Sequence, residues 1–182
     1  RAKKNWVING QADPCAFNAE SYMYIGWALT GRPGEDYLLP DIDPNGNVPT
    51  TIPDIFRVLD SGFLLYINGL LTAQAGVSPV GSQNLYDTDV KYKNAAQKDI
   101  TLYQLREGVE RFLITDINNP GATALAQSSI PIELDLTSTR AEEFSHVPGG
   151  GNVLFLDGHV QFIKYPSDFP VTKAFAVMTS LF

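Results

Sequence analysis

The chain has 182 residues, enough for one well-buried domain and short for two. Hydrophobic residues make up 44% and charged residues 18%, which supplies a core and excludes global disorder. A formal net charge of −7 excludes the clustered basic surface that nucleic acid or an anionic membrane requires, and a single cysteine, Cys15, excludes an internal disulfide.

We read residues 1–182 as one domain. Cys15 has no Cys-His signature around it and reads as structural. The longest apolar stretch, residues 63–71, is interrupted by Tyr66, Asn68 and Gly69, far short of the roughly 20 residues a membrane span needs. The opening Arg1-Ala2-Lys3-Lys4-Asn5-Trp6 carries neither an initiator Met nor an export signal, and reads as the interior of a longer polypeptide.

Residues 1–50 are rich in Pro, Gly, Asp and Asn, which predicts brief strands or a short helix joined by ordered loops. A helix is predicted over 53–72. Thr51 serves as its N-cap, Pro53 sits in its first turn, and Ile55, Leu59, Phe63, Ile67 and Leu71 recur every four residues. Residues 77–99 read as a polar loop. Leu102, Leu105, Val109 and Phe112 share a helical face and predict a second helix over 102–112, followed by a strand over 113–117. The Asn118-Asn119-Pro120-Gly121 break precedes a short Ala-rich helix through Gln127. Residues 130–136 alternate Ile130, Ile132, Leu134 and Leu136 with Pro131, Glu133 and Asp135, the period of a half-exposed strand. Pro131 suits an edge strand or a first strand position.

Asp157-Gly158 between two apolar runs predicts a hairpin over 153–163 with a two-residue type I′ turn. That register pairs Leu156 with His159 and Phe155 with Val160. It sorts Val153, Phe155, Val160 and Phe162 onto a core-facing side.

The segment running from His146 through Val147-Pro148-Gly149-Gly150-Gly151-Asn152 to Asp157-Gly158-His159-Val160 resembles a bacterial family of prepilin-processed surface proteins. The family is named for a histidine, a nine-residue gap and an Asp-Gly pair. Residues 105–120 and 21–27 resemble the same family's central regions. Ten residues, 147–156, separate His146 from Asp157, one more than the family pattern, and the triple glycine can absorb the extra one. The resemblance implies an α+β pilin-like head with an antiparallel sheet, a C-terminal Asp-Gly β-hairpin and two or more packed helices. It further implies an exported, cell-surface or extracellular structural module rather than an enzyme, part of a filament or of a type II secretion pseudopilus. Its partners would be copies of itself or other pilin-like subunits, with membrane contact through an N-terminal helix that these residues lack.

Among chemistry-bearing candidates, Asp41, Asp43, Asn45 and Asn47 around Gly46 match the first half of a calcium loop, alternate oxygen donors facing a hard cation. The match ends there, because Ile52 stands where the bidentate Glu belongs. A plain Asp/Asn/Gly turn is the competing reading. His146, Asp157 and His159 form a conceivable metal set, against a turn role for Asp157. Glu107 and Glu110 read as partners of Arg111 and Arg106 in i, i+4 ion pairs. Gly149-Gly150-Gly151 lacks the Lys and the helix of a phosphate cradle and reads as a loop. Tyr22, Tyr24, Trp27 and Tyr37 form either core or a contact surface. Two rival functions follow: a surface glycan-binding or adhesive domain on those aromatics, or a hydrolase on Glu107, Glu110, Asp116 or Asp157.

Overall fold

The structure is a computed structural model, and it describes residues 7–8, 11–12, 22–49, 54, 57–75, 88–113, 120–139 and 149–179. It is an α+β fold in which β1 (Val7–Ile8) and β2 (Gln11–Ala12) form a two-residue ribbon. The central sheet has four antiparallel strands in the order β3-β6-β7-β8: β3 (Tyr22–Tyr24), β6 (Pro131–Asp135), β7 (Gly150–Phe155) and β8 (Val160–Lys164). A second ribbon pairs β4 (Val90–Lys93) with β5 (Asp99–Leu102). Among the described residues, the longer helices are α1 (Ser61–Ala75), α2 (Pro120–Ser129) and α3 (Lys173–Thr179). Among the described residues, no helix is long and apolar enough to cross a membrane.

Helix α1 begins later than its apolar spacing predicted. Asp60, buried, accepts the backbone N–H of Gly62 at 2.8 Å and of Phe63 at 3.2 Å, so Asp60 is the N-cap. Residue 59 instead bridges Leu38 as extended backbone. Thr51, Pro53 and Ile55 lie outside the described residues.

The predicted helix over 102–112 is replaced by the end of β5, a turn and a 3-10 segment, Val109–Phe112. Gly108 stands at φ 77°, a left-handed conformation that interrupts any continuous helix. The apolar residues at helical spacing serve two different cores. Leu102 belongs to the main cluster with Val90 and Phe63, whereas Val109 packs with Ala28 and Ile130. Within the predicted loop 77–99, residues 90–93 are strand β4; the proposed strand 113–117 falls almost entirely outside the described residues. β6 is an interior strand, with Pro131 as its first residue beside a bulge between Pro131 and Glu133.

β7 and β8 pair with Leu154 opposite Val160 and Asn152 opposite Phe162, one residue away from the predicted register. Three residues, Leu156, Asp157 and Gly158, lie between the bonded pair Phe155 and His159. Phe155 O accepts the Gly158 N–H at 2.9 Å, and the Phe155 N–H donates to His159 O at 3.0 Å. A type I′ turn needs positive φ at both central residues, and here Gly158 has it (φ 89°) while Asp157 does not. The connection is therefore a type I turn closed by a left-handed glycine. The consequence is large. Val153 and Phe155 stay buried, but Val160 (63% exposed) and Phe162 (48% exposed) face outward, and Ile163 takes the core position.

The core joins the inner side of this sheet to α3, whose described residues from Ala174 to Thr179 are all buried. At its centre Tyr37 packs against Phe63, Phe169 and Phe175 with ring centroids 6.0, 6.3 and 6.0 Å away. Tyr37 is held there by the residue before it. Asp36, buried, accepts the N–H groups of Thr30, Gly31 and Tyr37, each at 2.8 Å, and the Thr30 hydroxyl at 3.1 Å. Burial lifts the Asp36 carboxyl above its ordinary value, and these donors pull it part of the way back.

Candidate functional site

Pleating places Tyr24, Glu133, Leu154 and Val160 in one row across all four strands on the side away from the core. A second row holds Tyr22 and Asp135 at one end and Asn152 and Phe162 at the other. Its middle is tied together by Asp135, whose Oδ2 accepts the Asn152 backbone N–H at 2.8 Å and side-chain amide at 3.0 Å. Tyr22 and Tyr24 are 59% and 66% exposed, so the face carries large apolar groups at both edges. Gly150 lets the Phe162 ring lie close over β7, since an added Cβ would come within 2.8 Å of Phe162 Cζ. The triple glycine is thus strand-forming at Gly150 and Gly151.

The aromatic group singled out in the sequence divides. Tyr22 and Tyr24 are surface residues, while Tyr37 is fully buried. Trp27 is half-buried, with its indole N–H donating to Thr88 O at 3.0 Å. On the inner side, Trp27, Met23, Phe63 and Met178 help line an apolar cavity of about 170 Å³. That volume would admit a single ring, but the described lining has little polar chemistry to orient one.

Beside Tyr24 lies a second cavity, an open cleft of about 370 Å³ whose walls include Glu107, Glu110, Gln127, Ile132 and Leu156. The predicted i, i+4 ion pairs are absent here, because they require an α-helix and this segment is a turn and a 3-10 segment. Arg106 instead grips Asp89 in a two-pronged pair at 2.7 and 3.1 Å and lies 5.6 Å from the Phe112 ring centre. That guanidinium holds the Asp89 carboxyl below its ordinary value. Glu110 is 7% exposed.

The suggested calcium loop works as a clasp on α3. Asp43 Oδ1 accepts the Asn45 N–H at 2.9 Å. The Asn45 amide donates to Ser167 O at 2.6 Å, and its oxygen accepts the Lys173 N–H at 3.2 Å. Lys173 Nζ donates to Gly46 O at 3.3 Å. Asp41 and Asn47 are exposed, and Asp41 stands at φ 63°. With Asn45 committed, a cation here would draw on Asp41, Asp43 and Asn47. Asn45→Ala is expected to cost about 1–2 kcal/mol in urea unfolding without added metal, because it strands Ser167 O and the Lys173 N–H. Wild-type stability in Asn45→Ala would refute the clasp. A calcium-induced rise of several degrees in melting temperature, reversed by chelator, would add a cation to it.

Asp157 and His159 meet at the β7–β8 turn. Asp157 Oδ1 lies 2.5 Å from His159 Nδ1 and accepts the His159 N–H at 3.1 Å. The backbone bond from His159 holds the Asp157 carboxyl below its ordinary value. The imidazole stacks on Phe155 with centroids 4.5 Å apart. His146, Asp116 and Cys15 lie outside the described residues. Among the described residues, no three His, Cys, Asp or Glu side chains gather as a metal site. Comparison with known protein families, curated proteins and solved structures finds no match to this chain.

Proposed function

We propose that this chain is a pilin-like or pseudopilin-like head, an exported cell-surface module that assembles with copies of itself or related subunits rather than catalysing a reaction. The observation that carries the reading is the outer face of the four-stranded sheet, with Tyr22, Tyr24, Val160 and Phe162 all exposed. The resemblance of residues 146–160 to the prepilin-processed family supports it, as does the antiparallel sheet. A face bearing apolar groups at both edges gains by being covered, each fully buried large side chain contributing about 1.5–3 kcal/mol. Opposing this, a net charge of −7 makes copies repel.

Both terms are measurable. Sedimentation or light scattering is expected to show a concentration-dependent mass above the monomer, strengthened by added salt as repulsion is screened. The double variant Val160→Asp, Phe162→Asp is expected to weaken association by about tenfold or more while leaving the melting temperature near wild type. A strictly monomeric wild type at every concentration and salt level would remove the assembly reading. A monomer whose Tyr22 and Tyr24 signals respond to polysaccharide would favour the glycan-binding alternative, which those two exposed rings support.

A further inference from the structure

On the inner side of the sheet, residues of β3, α1 and α3 enclose between them the apolar cavity of about 170 Å³. Its floor belongs to the core, because Val90, Leu102 and Phe175 are all buried. Its mouth is marked by the wall residues that reach solvent, the exposed Tyr24 and the half-buried Met23, Tyr66 and Ile67. Gly26 stands in the wall without a side chain, and a Cβ there would lie 3.8 Å from the Tyr24 ring. Among the described residues the wall holds no Asp, Glu, Lys or Arg. Trp27, Phe63, Tyr66 and Phe175 supply aromatic rings, and both methionines of the chain, Met23 and Met178, supply thioethers.

Volume, charge and polarisability together select what such a space holds. A hydrocarbon-walled cavity of about 150 Å³ stays dry and takes up benzene, so this one has room for a single ring and little beside it. A wall without ionic groups cannot repay the dehydration of a charged molecule, which leaves uncharged ones. Ring edges and sulfur both favour an aromatic guest over a saturated chain, and the unbranched methionines adjust to its outline. A ring carried on a polypeptide would press its backbone amides against the apolar rim at Met23 and Ile67, desolvating them without partners. We propose that this cavity binds a free, uncharged small molecule bearing one aromatic ring. Phe63, Phe175 and the two methionines enclose the ring, and Tyr24 and Tyr66 flank its way in.

The site goes beyond the assembly reading, which uses the opposite side of the sheet. Its test is direct, because both methionine methyl groups of the chain report from the cavity wall. Methyl-13C methionine spectra are followed during titration with toluene, hexane, phenylacetate and N-acetyl-phenylalanine methylamide. The protein is the full chain carrying Val160→Asp and Phe162→Asp, so that association through the outer face does not enter. Toluene is expected to shift both methyl signals saturably, by ring current, and to raise the melting temperature. Hexane is expected to bind severalfold more weakly, and phenylacetate and the peptide-borne ring about tenfold or more weakly. Filling the space from within is the second arm. Ile67→Phe and, with Met178 left as reporter, Met23→Phe are each expected to weaken toluene binding by about tenfold or more in a folded protein. No saturable shift with toluene, equal or tighter binding of hexane or phenylacetate, or wild-type affinity in both filled variants would overturn the proposal. Equal or tighter binding of N-acetyl-phenylalanine methylamide would overturn it too, giving the cavity to a partner's side chain instead.

Discussion

Asp36→Ala is expected to destabilise the protein by about 3–4 kcal/mol, near the upper end of single-substitution effects. The substitution removes one carboxylate and leaves three backbone N–H groups, those of Thr30, Gly31 and Tyr37, without their acceptor. Gly31 and Tyr37 are buried, so water does not readily replace the lost bonds. The damage spreads, because residue 36 also takes a hydrogen bond on its backbone oxygen from the Tyr92 hydroxyl and positions Tyr37 among Phe63, Phe169 and Phe175. In a chain of this length that cost lowers the melting temperature by roughly 10 °C. The control is Glu35→Ala one residue away, whose carboxylate is exposed and pairs loosely with Arg32 at 3.5 Å. Its removal is expected to change stability by less than about 0.5 kcal/mol. An Asp36→Ala midpoint in urea within about 1 kcal/mol of wild type would refute the anchoring role.

Two glycines in α1 give the second large effect, and they are expected to differ in sign. Helix propensity alone says that either one, replaced by alanine, should stabilise by about 0.5–1 kcal/mol. At Gly69 nothing lies within 4 Å of an added Cβ, so propensity decides and Gly69→Ala is expected to raise stability by that amount. At Gly62 the added Cβ would meet Lys93 O at 1.9 Å and Tyr92 Cδ2 at 2.9 Å. Backbone is the obstacle there, and it cannot swing aside as a side-chain tip can. The helix must separate from β4, loosening the contact between Phe63 and Tyr92 at 6.2 Å. Overpacking costs about 1–3 kcal/mol or more, which outweighs the propensity gain, so Gly62→Ala is expected to destabilise by about 2 kcal/mol net. Paired thermal melts of the two variants check this directly. Equal, stabilising shifts would mean that α1 does not approach β4 so closely.

The two glutamates of the cleft illustrate how far a sequence reading reaches into a site. Arg106, Glu107, Glu110 and Arg111 pair neatly on a helix wheel, but the segment is a turn and a 3-10 segment. Once Gly108 interrupts the helix, Arg106 turns to Asp89 and Glu110 lines an open cleft instead of pairing with it. A local spacing rule holds only while the backbone geometry it assumes holds. Similarly, the oxygen-rich run at 41–47 marked a tight turn correctly, since Asn45 N–H to Asp43 is a bond between near neighbours. Its attachment to Ser167 and Lys173 spans more than a hundred residues and leaves no local trace.

Several features were set by the sequence alone. The alternation from Ile130 to Leu136 located β6, and the Ala-rich stretch after the Asn118-Asn119-Pro120-Gly121 break located α2. These are short-range properties, governed by backbone sterics and by which neighbours share a face. Tertiary structure decided the rest. It replaced the apparent second helix over 102–112, whose apolar residues divide between two cores, and it made a helix of residues 173–179, where burial on every side erases periodicity. It also chose a three-residue connection at Leu156, Asp157 and Gly158. There the Leu156 N–H donates to Ile130 O at 2.9 Å, a contact with the residue just before β6 that an Asp-Gly pair cannot specify. That one-residue choice turned Val160 and Phe162 outward, because side chains alternate along a strand and a shift of one exchanges its faces.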